Sequence, residues 1–181
     1  MRESHVRKLR KDFADRNIVS LRDSAADLAR DSLLFDDYAL LDLSLLSYSL
    51  SKFLEKPYIL ENKAWKKFSD NVLGDLDKCT ALLSKGKEDD ADKLVHHLIK
   101  SAESLSASLG RFVSSTIDKA RLKAAAQMYA HGASLGTAAE RCGVDKRILG
   151  GYVGSTHIPD KYETLSVKER LENAKKIFGG N

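Results

Sequence analysis

Cysteine and proline are scarce: the 181 residues hold two of each, with one tryptophan and 7% aromatics. Cys79 and Cys142 stand far apart and show no CxxC or Cys/His spacing. That excludes a disulfide-stapled scaffold and a structural zinc site, and fits a reducing, cytoplasmic location. Two prolines and eleven glycines leave little punctuation for the turns of a β-sandwich or barrel. With no Gly, Ser or Pro tract, collagen-like and mucin-like classes are excluded too. Long apolar runs are also missing. The most apolar stretch, Tyr38 to Leu54, is interrupted by Asp42, Lys52 and several serines, and the basic start lacks the apolar core of a signal peptide. No membrane span is expected.

What the chain does contain is 43% hydrophobic and 31% charged residues, with Leu, Ala, Lys, Asp and Ser where a sheet would need strand formers. This predicts an all-α protein. The formal charge of +4 is unevenly spread. Residues 111–158 hold seven bases against three acids, and residues 1–16 six against three, while residues 17–110 hold twelve against sixteen. An acidic middle is flanked by two basic segments.

Helical spacing marks the elements. Val6, Leu9 and Phe13 line a first helix over about residues 3–15, either a docked or a free basic arm. A second starts near Ser20 as N-cap and buries Leu21, Ala25 and Leu28. A third, about residues 36–55, is apolar nearly all round and belongs at the centre of a bundle, with Pro57 as its stop. Trp65, Phe68, Val72, Leu76, Cys79 and Leu83 line a fourth over about residues 62–85, closed by Gly86 at C′. From Asp90 to Met128 the apolar series scarcely breaks, which predicts one long helix, or two nearly collinear ones hinged at Gly110, ending at His131-Gly132. Ser166-Val-Lys-Glu169 is a capping box for a last helix, about residues 166–178, with Val167, Leu171, Ala174 and Phe178 on its apolar face.

After Gly132 the elements become short. Ser134 can cap a helix over residues 135–142, Gly143 can take the positive φ of a tight turn, and Asp145 can cap a helix running from Lys146 into Tyr152. Ala139 is small where two helices would cross, and Leu135, Ala138, Cys142, Val144, Leu149 and Tyr152 fall at apolar positions. On these residues the segment, about 116–158, resembles a DNA-binding helix-turn-helix. The wider run Gly151-Tyr-Val-Gly-Ser-Thr-His-Ile158 is similar to the end of small archaeal all-helical proteins, a likeness that implies no activity.

The resemblance implies a recognition helix in the major groove, with Lys146, Arg147 and Gly150 facing it. Arg141, Lys119, Arg121 and Lys123 would meet phosphates, and Thr156 and His157, on a following loop, would also reach DNA. Gly150-Gly151 departs from the pattern: each glycine costs a helix about 1 kcal/mol relative to alanine, so either the helix ends at Leu149 or a backbone comes close there.

Other constellations have ordinary explanations. His96 and His97 diverge by about 100° on a helix and cannot chelate one ion. Glu88, Asp89, Asp90 and Asp92 suit a helix start, and His131 a helix end. The glycines at 150, 151 and 154 neither follow a strand nor precede GK[ST], so they form no phosphate loop. The Arg/His pair of helical-bundle toxin ribonucleases is missing.

The expected architecture is a bundle with a basic arm over residues 1–110, for dimerisation or partner binding, a helix-turn-helix module over 111–160 and a capping helix over 161–181. The expected function is non-enzymatic binding of double-stranded DNA by a homodimer, as a transcription regulator or chromosome-associated factor, without cofactor or metal. The alternative is a protein-interaction module or an accessory subunit.

Overall fold

The computed structural model describes residues 2–108 and 116–156. Among them every regular element is a helix: α1 (Arg2–Ala14), α2 (Ile18–Leu34), α3 (Tyr38–Leu54), α4 (Pro57–Leu60), α5 (Lys63–Leu83), α6 (Glu88–Ser108), α7 (Thr116–Ala130), α8 (Leu135–Cys142) and α9 (Lys146–Thr156). None is long and apolar enough to cross a membrane. Gly110, Arg111, His157 and the expected helix over residues 166–178 lie outside the described residues.

The centre is α3, as its all-round apolar sequence requires, with α1, α2, α6 and α7 packed on it. Its buried serines fit the core by bonding backbone. Ser44 and Ser47 Oγ donate 2.7 Å bonds to Ala25 and Leu21 carbonyls of α2, while Ser49 and Ser51 bond within their own helix. Small hydroxyls bonded this way let α2 and α3 approach closely at no cost in unpaired groups. Tyr38, by contrast, begins the helix exposed. At the opposite end Phe13, Phe53, Trp65 and Phe68 join α1, α3 and α5 through ring contacts of 5.7–6.5 Å.

The basic arm is docked. Val6, Leu9 and Phe13 of α1 are buried, and two of its arginines reach acids of the bundle, while Arg7 and Lys8 pair with Glu3 and Asp12 of α1 itself. Arg2 pairs bidentately with Asp37 at 2.7 and 2.9 Å and reaches Asp92 at 3.2 Å; Arg10 meets Asp77 at 3.0 Å. The helix starts differ in one place from the sequence expectation. The cap of α2 is Asn17, whose Oδ1 accepts from Ser20 N at 3.1 Å, so α2 begins before Ser20. Pro57 does more than stop α3: it opens the short α4 at N1, where its missing N–H costs nothing.

The long helix expected from Asp90 to Met128 is two helices with different bounds, α6 and α7, and they are not collinear. Arg2 links Asp37 to Glu88 and Asp92, which sets the start of α6 beside the start of α3. Lys52 near the end of α3 feels the charges of Lys119 and Lys123, which sets the start of α7 there. The chain therefore goes down α3 and returns along it. Continuous apolar spacing could not reveal the reversal, since both helices present an apolar face to the same neighbour.

Candidate nucleic-acid interface

Helices α7, α8 and α9 pack against one another as a tri-helical unit. Ser134 caps α8, its Oγ accepting from Thr137 N at 3.0 Å. Gly143 ends α8 with φ 63° and ψ 39°, the left-handed position expected of it, and Val144 N returns to Ala139 O at 2.9 Å. Asp145 Oδ1 then accepts from Arg147 N at 2.8 Å and Ile148 N at 3.1 Å, which starts α9. Ala138, Ala139, Cys142 and Leu149 are buried between the three helices.

The same α7 also packs on α2 and α3. It manages this with small side chains: Ala120, Ala124, Ala125, Ala126 and Ala130 are all buried. Both flanks of α7 are interior, and one continuous apolar core runs from Val6 to Leu149.

Compared with known protein families, curated proteins and solved structures, the chain matches none.

The basic side chains named from sequence go to four different places. Lys146 and Arg147 are exposed in the first turn of α9, and neither has an acidic partner among the described residues. A neighbouring cleft of about 310 Å³ is lined by Asp118, Lys119 and Arg121 of α7 and by Asp145 and Ile148 at the start of α9. Arg121 Nη1 donates to Cys142 O at 3.4 Å, which satisfies a terminal carbonyl of α8.

Arg141 does not face solvent. Its side chain is 9% exposed, with Nη1 donating to Asp36 at 2.6 Å and Nη2 to Ser32 O at 2.7 Å. Its guanidinium carbon sits 4.4 Å from the Tyr38 ring centroid. These contacts tie α8 to the corner between α2 and α3, and the sequence reading missed them because Ser32, Asp36 and Tyr38 lie a hundred residues away. Lys123 turns to a second cleft, between α7 and the bundle, beside Arg22 and Lys52.

Gly150 is turned inward: a Cβ there would lie 3.5 Å from Leu135 of α8. The helix nevertheless continues through Gly150-Gly151, so Thr156 is the last residue of α9 instead of part of a loop, its Oγ1 donating to Tyr152 O at 2.8 Å. Substituents at Gly151 and Gly154 would meet open space. The outward face of α9 thus carries Arg147, Gly151 and Gly154, with Ile148 beside it at 60% exposure.

Two further residues behave as their positions suggest. His131 Nδ1 lies 2.7 Å from Gln127 O, in place to donate to a last-turn carbonyl of α7. His96 and His97 diverge, the first within the field of Asp42 on α3 and the second beside Lys78 on α5 and Lys85 just after it. No group of three or more His, Cys, Asp or Glu suited to a metal ion occurs among the described residues.

Proposed function

We propose that the protein binds double-stranded DNA without catalysing a reaction, presenting α9 to the major groove with α8 as its brace. The observation that supports this reading is the start of α9, where Lys146 and Arg147 stand exposed without acidic partners among the described residues, beside the Asp145 carboxylate that caps the helix. Basic side chains in a first turn oppose the helix dipole and cost the isolated protein stability, whereas backbone phosphates reaching the two side chains would offset that cost. Lys119 and Arg121 line the neighbouring cleft and would add phosphate contacts, whose affinity falls with salt.

Base readout is left to Arg147 and Lys146, because the remaining outward positions are glycines. One such module binds weakly and with low selectivity, so a homodimer is part of the proposal. The expected result is a steep loss of duplex affinity with salt, measured by anisotropy. Lys146→Ala with Arg147→Ala should weaken binding and reduce the log–log salt slope by about two. An unchanged slope would sink the assignment.

A second reading rests on Ile148, an exposed branched apolar side chain next to a glycine surface. It suits a non-enzymatic module that docks α9 on another protein, as an interaction domain or accessory subunit. Absence of duplex affinity at low salt would favour it.

A further inference from the structure

The cleft between α2, α3 and α7 has about 280 Å³ of space and is lined by Arg22, Lys52 and Lys123 at one end. Glu55 pairs with both Arg22 and Lys52, the latter at 2.9 Å, which leaves three cations facing one carboxylate. Lys123 has no acidic partner among the described residues. Tyr48 sits between the charged end and Gln127, and among the described residues neither the Tyr48 hydroxyl nor the Gln127 side-chain amide has a hydrogen-bond partner. Ala25, Ala26, Ala120 and Ala124 complete an apolar wall.

We propose that this cleft binds a small organic anion, a phosphorylated or carboxylated molecule of metabolite size, with its charged group among Arg22, Lys52 and Lys123 and its body along Tyr48 and Gln127.

Three considerations carry the proposal. The volume lies at the small end of those that hold metabolites, and the mixture of an apolar wall with a few convergent polar groups is that of a ligand site. Like charges gathered at one partly buried place cost free energy unless an anion is supplied. Burial first, then the charges of Arg22 and Lys123, holds the Lys52 ammonium below the usual lysine range, which registers that cost. Finally, duplex DNA is too thick to enter a cleft of this size, so a backbone phosphate is a poorer occupant than a small molecule. The site stands independently of whether α9 holds DNA.

The test is thermal unfolding of the full chain with added inorganic phosphate, pyrophosphate or citrate, against sodium chloride at matched ionic strength. A phosphate or a carboxylate ligand is distinguished by which anion acts. Binding should raise Tm by about 3–6 °C for each tenfold excess of anion over its dissociation constant. Lys123→Gln should be folded by circular dichroism, at least as stable as the parent without anion, and should lose the anion-dependent rise at least tenfold in affinity. Lys67→Gln, on the exposed face of α5, should keep it. The proposal fails if no anion outperforms chloride or if Lys123→Gln responds as the parent does. It also fails if the response is lost in Lys146→Gln with Arg147→Gln instead, since the anion would then be held by α9.

Discussion

Arg141 shows how a charge can leave the surface. Two hydrogen bonds and the Tyr38 ring hold its guanidinium, which is nearly covered. Hydrogen bonds to charged groups contribute about 1.5–3 kcal/mol each, and a cation over a ring about 0.5–2. Deleting the side chain also removes the desolvation cost of burying a guanidinium, so Arg141→Ala should destabilise by about 2–4 kcal/mol in urea titrations. Arg141→Lys should recover less than half, because one ammonium cannot serve the two acceptors and the ring together. If Arg141 served a phosphate instead, stability would not change. Asp42 offers a test of opposite sign. Burial raises its pKa above the unfolded value, and the charges of His96 and Arg121 only partly oppose this. The fold then holds a proton at pH values where the unfolded chain has released it, so stability falls as pH rises through that window and the penalty is complete at neutral pH. Asp42→Asn should therefore be more stable than the parent at pH 7 and equal to it near pH 3. A lower urea midpoint at pH 7 would show that the carboxylate is paired.

At the scale of elements, local signals were legible and directions were not. The caps at Ser134 and Asp145, the left-handed Gly143 and the buried stripes of α1 and α5 rest on residues within a few positions of each other, and the sequence displays them. The shift of the α2 cap to Asn17 was harder because Asn17 and Ser20 both suit a cap, and the opening of α4 at Pro57 because its N-cap, Lys56, offers no capping side chain. The reversal between α6 and α7 was illegible because an apolar stripe states which face is buried but says nothing about the direction of the next helix. The site divides in the same way. Lys146 and Arg147 stand where the short-range pattern puts them, whereas the commitments of Arg141 and Lys123 depend on Tyr38, Arg22 and Lys52, which only the tertiary fold brings near. Arg22 and Lys52 gave no local sign of a shared cleft.

For the whole molecule, the two thiols report on cohesion. Burial pushes Cys79 up to about 11 and Cys142 up to about 11, so both stay protonated and covered in the folded chain at pH 8. Cys79 lies between α5 and α6, and Cys142 against Met128 between α7 and α8. Because α7 is interior on both flanks, the bundle and the tri-helical unit share one core. Both thiols should become reactive to iodoacetamide at the same urea concentration in a stepwise titration. Labelling of Cys142 well before Cys79 would show that the C-terminal helices open alone.

The alanines of α7 have a mechanical consequence. A helix clad in leucine can absorb a small push on one side by rotamer changes, but Ala120, Ala124, Ala125 and Ala126 have no χ angles to turn. A displacement imposed from the α2–α3 flank is therefore carried mainly by the backbone of α7 toward α8 and α9, with the buried Met128 as the flexible side chain at the Cys142 contact.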